Sequence, residues 1–186
     1  MAVARIRALM LALAAVAWTG AAWGAELAPA RGAVLVTVAG AIANHNRGAF
    51  DPFADAFLKF HDKSFAAALE LDRAALAALD QVEITADAEP WPGPVRLRGP
   101  LLADVLELAG AQGDTVTLFA LDGYGATVDA AMLAAHPWVL ALEADGRPLA
   151  IGGRGPAWLA YDTGTRRATA EEEGAWVWSV FYITVE

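Results

Sequence analysis

The chain of 186 residues contains no cysteine. That excludes disulfides, thiolate nucleophiles, cysteine-held metals and c-type haem attachment. An exported domain of this size does not need disulfides, because its core suffices. Histidine is scarce as well. His45, His61 and His136 stand apart, and none has a partner at metal-ligand spacing. Beyond residue 24 the only serines are Ser64 and Ser179, and neither lies in a G-x-S-x-G elbow, so a serine hydrolase is set aside. Positive charge is the minority sign: 13 Lys and Arg face 22 Asp and Glu, for a formal net charge of −9. An acidic balance argues against nucleic acid and against anionic membrane surfaces. Past the N-terminal segment no run approaches about 18 apolar residues without charge, so no membrane span is expected there.

The first 24 residues read as a secretory signal peptide. Arg5 and Arg7 form a basic n-region. Ala8 to Trp18 is an apolar run of eleven residues, too short for a span and suited to an h-region. Ala22-Trp23-Gly24 places small residues at the two positions that signal peptidase reads, so cleavage is expected after Gly24; an uncleaved anchor is the alternative. Ile6 separates the two arginines, whereas a twin-arginine signal needs them adjacent. Export by the general secretory route, to the periplasm or otherwise out of the cytoplasm, is therefore expected. Residues 25–186 would remain as one domain of 162 residues. The removed segment carries two arginines and no acid, so the formal charge becomes −11.

What is present centres on Trp91 to Gly110, WPGPVRLRGPLLADVLELAG. A Pro-rich turn leads into a strand with Val95 and Leu97 on one face and Arg96 and Arg98 on the other. Gly99 breaks the strand, and Pro100 suits the first turn of a helix. Leu101, Leu102, Val105, Leu106 and Ala109 make that helix's apolar face, and Gly110 is the expected C′ stop.

Before this stretch, Ala33 to Ile42 reads as a strand. Asn44-His45-Asn46-Arg47-Gly48 follows as a polar turn, either simply solvated or able to cradle an anion with its amides, Asn side chains and Arg47. Phe50, Phe53, Phe57 and Phe60 fall on one helical face, with Asp51 as N-cap and Pro52 at N1. Such a stripe is ordinarily core; the alternative is a surface that docks on another protein. Strands are expected at 66–71 and 81–86, with a short helix capped by Asp72 between them.

After the central helix, strands are expected at 115–121 and 126–128, then a helix capped by Asp129. Trp138 to Glu143 reads as one buried strand, and Asp145-Gly146 is a strong hairpin signal. Further strands are expected at 157–161 and, as one long final strand, 175–185. Glu171-Glu172-Glu173 reads as a solvated loop or short helix. Tyr124, in a Gly-flanked turn, either anchors that turn through its hydroxyl or faces a ligand. Arg154, between glycines, is either bland or offers amides and a guanidinium fork to an anion. Asn44, His45, Asn46, Arg47, Tyr124 and Arg154 are the ligand-binding candidates, expected to converge on one cleft.

In order, VLVTVAGAI, VRLRGPLLADVLELAG, LDGYGATV, LEADGRPLAIGGRGP and the Trp-rich terminal strand span almost the whole of residues 33–186. The chain thereby resembles the molybdopterin-binding domain of the sulfite oxidase family, in its small, exported, single-domain form. The resemblance implies an α+β fold of mixed, partly barrel-like sheets with short helices. It also implies a metal site that this sequence departs from. The family's molybdenum-ligating cysteine follows the strand that here reads QVEITA, where this chain has Thr85, Ala86, Asp87 and Ala88. The arginine usual after the proline of the GxP loop is replaced by Ala157, Trp158 and Leu159. Gly174-Ala175 stands where a lysine usually precedes the last tryptophan.

Two function classes follow. One is a non-catalytic binding module without cofactor, for a small ligand, an anion being one option, or for a protein met through Phe50, Phe53, Phe57 and Phe60. The alternative is a molybdopterin-dependent oxidoreductase whose metal site uses Asp87, a hard oxygen donor, in place of a soft thiolate. Fold does not decide between them; the missing ligand favours the module.

Overall fold

The computed structural model describes residues 26–186. The expected signal peptide, with its expected cleavage and boundary at residue 24, lies outside the described residues. The first strand, β1 (Val34–Gly40), ends at a glycine with φ +94°. A Cβ there would run into the Val185 carbonyl oxygen, so the position admits only glycine. Beside β1 lie the edge strand β2 (Leu69–Asp72) and, in parallel, the last strand of the chain.

Between β1 and β2 the chain forms a single short helix, α1 (Ala56–Phe60). Asp51 Oδ1 accepts from the Phe53 and Ala54 N–H groups, so the expected capping chemistry holds, but residues 52–55 are turns rather than helix. The core placement of the stripe does not hold. α1 buries no side chain, and Phe53 is 92% and Phe60 80% exposed. Phe57 and Leu58 reach only the outer face of the sheet, where Phe181 lies 5.1 Å from Phe57.

Asp72 then caps α2 (Arg73–Ala77), its Oδ1 accepting from Ala75 N at 2.8 Å. β3 (Gln81–Ala86) pairs antiparallel along its whole length with β4 (Val95–Pro100). In β4 the side chains of Arg96 and Arg98 are exposed and Leu97 is buried, the alternation expected. Pro100 stays in the strand, opposite Gln81, and α3 (Leu102–Ala109) begins two residues later. Gly110 closes α3 at φ +60°.

Two hairpin strands follow, β5 (Thr115–Ala120) and β6 (Gly125–Asp129), and Asp129 caps α4 (Ala130–Ala135) through Met132 N. The buried run expected as one strand divides at Leu142 into β7 (Val139–Ala141) and β8 (Glu143–Ala144). The two pieces serve different sheets: β7 pairs with β10 (Trp158–Ala160), β8 with β4 and β9 (Arg147–Pro148). Asp145 and Gly146, both at positive φ, turn β8 into β9 as a two-residue hairpin. The acidic run becomes α5 (Ala170–Glu173), with a capping box between Thr169 and Glu172. The long final strand is shortened to β11 (Val180–Val185) by Ser179, which sits at φ +55°.

The result is a mixed five-stranded sheet in the order β2-β1-β11-β5-β6, a four-stranded sheet β3-β4-β8-β9 and the pair β10-β7. One large apolar core, from Val36 and Leu69 to Ile183, lies between them. A smaller cluster under α1 holds Phe181, Tyr182 and Phe119 on the other face of the five-stranded sheet. Among the described residues no helix is long and apolar enough to cross a membrane.

Candidate functional site

Two places concern function. The first is the turn after β3, where the resemblance puts a metal ligand. Ala86 and Ala88 are fully buried, and Asp87 carries its carboxylate between them. Asp87 Oδ2 pairs with Arg167 Nε at 3.3 Å, while Oδ1 is buried and accepts no hydrogen bond. Arg167 also donates to the carbonyl oxygens of Ala88 and Trp91. Trp91 covers this turn, its indole N–H on Glu173 and its ring against Trp158 (5.0 Å) and Trp176 (5.4 Å). Ala157, Trp158 and Leu159, in place of the family's arginine, are buried apolar residues.

These residues do not fit a molybdenum–pterin group. The one donor is a hard carboxylate, 16% exposed and already paired with an arginine, and the residues beside it are buried alanines. Among the described residues no group of three histidines or carboxylates converges as a metal cluster.

The second place is a cavity of about 270 Å³ under α1, lined by Val34, Phe57, Leu121, Ile151, Pro156 and Phe181 around a polar end. That end is Arg47 with two acids: Asp55 takes both terminal nitrogens (3.0 and 2.8 Å), and Glu70 takes Nη1 (2.7 Å). The Asp55 hydrogen bonds do most to raise the guanidinium's affinity for its proton, against the opposing effect of burial. Burial alone would push the Asp55 carboxyl up, but the Arg47 and Asp51 hydrogen bonds and the Arg47 charge hold it below the usual range.

The six candidate residues are distributed as follows. Asn44 donates to Leu108 O and Asn46 to Ala28 O and Glu70 O, so both side chains tie the turn to its neighbours. His45 joins Glu26 in a parallel bridge through its backbone. Arg47 reaches the cavity, locked by its acids. The Tyr124 hydroxyl donates to Gly174 O. Arg154 is exposed, its guanidinium 4.4 Å from the Trp158 ring centre and 5.4 Å from that of Trp91, with no ion pair among the described residues. The loops themselves meet: Ser179 N donates to Arg154 O and Leu121 N to Ser179 O. Of the six side chains, only Arg47 lines the cavity. Sequence reasoning missed Asp55, Glu70, Trp91 and Arg167 as the partners that define both places. Glu70 lies 23 residues from Arg47 and Arg167 lies 79 from Ala88, so no local spacing signals either pairing.

The fold is α+β, mixed sheets with short helices, as the sequence led us to expect. Among solved structures the chain is similar to the sulfane dehydrogenase SoxCD from Paracoccus pantotrophus, with a TM-score of 0.55 and 15% identity. The likeness covers 86% of this chain and 40% of that one, so this chain spans well under half of its neighbour's length. At such identity it concerns the fold alone. No protein-family model and no curated protein matches the chain.

Proposed function

We propose that the chain is an exported binding module that keeps the molybdopterin-binding fold without its chemistry. One observation carries this: the turn after β3 holds Asp87 between buried alanines, with its charge paired to Arg167. A metal centre needs both its ligand and the groups that orient it, and here the ligand type and the family's cationic contacts are replaced together. Export by the general route agrees with that reading, because an unfolded chain cannot carry a buried pterin across a membrane. The ligand-facing cation is Arg154, paired with no acid among the described residues and flanked by glycines, which suits a small anion.

Elemental analysis of protein purified from its own host tests the reading. The expected result is no molybdenum and no pterin fluorescence after oxidation. One molybdenum per chain would restore the oxidoreductase with Asp87 at its metal. Intact mass from the same preparation is expected to start at Ala25. Arg154→Ala is expected to weaken sulfate or phosphate binding without a comparable fall in melting temperature.

A further inference from the structure

The cavity under α1 and the phenylalanines beside it form one surface. The cavity walls are apolar, but its polar end sets two carboxylates against one guanidinium and so keeps a formal charge of −1. Glu70 gives only Oε1 to Arg47; no described residue donates to Oε2, and that oxygen is not buried. An open acceptor at the end of an apolar cavity fits a cation on an apolar stem. Outside the cavity Phe53 and Phe60 stand out into solvent, and Ile151, which lines it, is itself 72% exposed. Exposed Asp51 and Asp62 outnumber Lys59 on this ridge, and the ammonium of Lys63 is held over the Phe119 ring, 3.2 Å from its centre.

We propose that this surface docks a polypeptide partner that inserts a lysine or arginine into the cavity, while apolar residues beside it cover Phe53 and Phe60. Charge complementarity selects this occupant. A free small amine fills the cavity but leaves Phe53 and Phe60 bare, since neither lines it. A second copy brings one net-negative chain against another. A membrane surface covers the phenylalanines but, when anionic, is repelled by the same acids. Large exposed aromatics next to a pocket are the usual anchors of protein interfaces. The inference holds whether or not the chain carries metal.

Two probes test it on the full chain. In NMR titrations 4-phenylbutylamine is expected to shift the amide signals of Phe57, Glu70 and Ile151, with 4-phenylbutyrate about fivefold weaker, the scale of one partly exposed charge pair. Glu70→Gln is expected to erase that preference, and Phe53→Ser to keep it. Equal binding of amine and acid by the unaltered chain overturns the cationic anchor. Separately, benzoylphenylalanine in place of Phe53 or Phe60 is photo-cross-linked in the native host. The expected product is the same protein from both positions, joined through an apolar segment that contains lysine or arginine. Cross-links to lipid alone, to a second copy, to a segment without a basic residue, or to nothing overturn the proposal. Molybdenum measured on the same preparation keeps this outcome separate from the module reading.

Discussion

Two aromatic groups of this chain behave in opposite ways. Trp91, Trp138, Trp158 and Trp176 are all buried, and Trp91, packed on Trp158 and Trp176, lies at the turn after β3 together with Arg167. Phe53, Phe57 and Phe60, set at helical spacing, lie outside the core. The tryptophans are brought together from loops and strands far apart in sequence. The phenylalanines share one short segment that meets the sheet through Phe57, Leu58 and the adjoining His61. Periodicity marks a face; whether that face is buried depends on what the rest of the fold places against it. In this fold the covered region is the one where the family resemblance predicts chemistry, and the open one is the helix expected in the core.

The largest effect is expected from opening the covered side. Trp91→Ala removes a ring that is 7% exposed, its contacts to Trp158 and Trp176, the platform under Arg154 and the bond to Glu173. A loss of about 3–5 kcal/mol in denaturant unfolding is expected, the range of a large aromatic truncated in a core. A loss well below this would mean the side is loosely held, and the contrast with the phenylalanines would fail.

Arg167→Ala comes next. It removes the donor to the Ala88 and Trp91 carbonyls and leaves the Asp87 carboxylate, 16% exposed, without its cation. About 1–3 kcal/mol is expected, because a largely buried acceptor is left unmade. Arg167→Lys is expected to recover only part of it, since one ammonium cannot reproduce the guanidinium's several directed donors. Full recovery by lysine would reduce the arginine to a point charge.

Acid provides a smaller, graded test. The Arg166 hydrogen bonds, then the Thr169 N–H, lower the Glu172 carboxyl from 4.5 to about 2. A depressed acid contributes stability that is complete above its unfolded value and is lost as pH falls through the folded one. The window is therefore about 4.5 down to 2. Glu172 holds the first turn of α5, whose Glu173 accepts the Trp91 indole N–H, so the tryptophan near-UV signal is expected to change in that window. Glu172→Gln is expected to flatten part of this pH dependence and not all of it, because Asp51 and Asp72 are lowered by backbone N–H groups as well.

Much of the local structure was legible because its causes are local. Asp72 and Asp129 cap the helices assigned to them, Asp145-Gly146 makes its hairpin, and Gly110 stops α3. What was not legible depends on distant partners. Ser179 breaks the final strand at positive φ while its N–H bonds Arg154 O and its hydroxyl bonds Gly153 O, contacts 25 or more residues away. Pro100 stays in β4 because Gln81 lies across from it. Of the candidate site, the turn bearing Arg47 was visible as polar sequence. That Arg47 would pair with Glu70 at the end of a cavity was not, because β2 supplies the acid from 23 residues further along the chain.

The smallest stability effect is expected on the open side. Phe53→Ser and Phe60→Ser replace rings that are 92% and 80% exposed, one in the turn before α1 and one at the end of a helix that buries nothing. Each change should leave unfolding free energy within about 0.5 kcal/mol, as exposed substitutions usually do. Phe60 also lies edge-on to His61, 5.2 Å between centres, so a slight loss there would not disturb the contrast. Phe57→Ser is the internal control. Its ring is half-exposed yet meets Phe181 at 5.1 Å and His61 at 4.6 Å, so it should cost measurably more than either neighbour. If Phe53→Ser destabilised the chain as much as Phe57→Ser, the outer phenylalanines would belong to the fold. With stability untouched at positions 53 and 60, their apolar surface is left for binding, and any loss of cross-linking on substitution there reports the partner and not the fold.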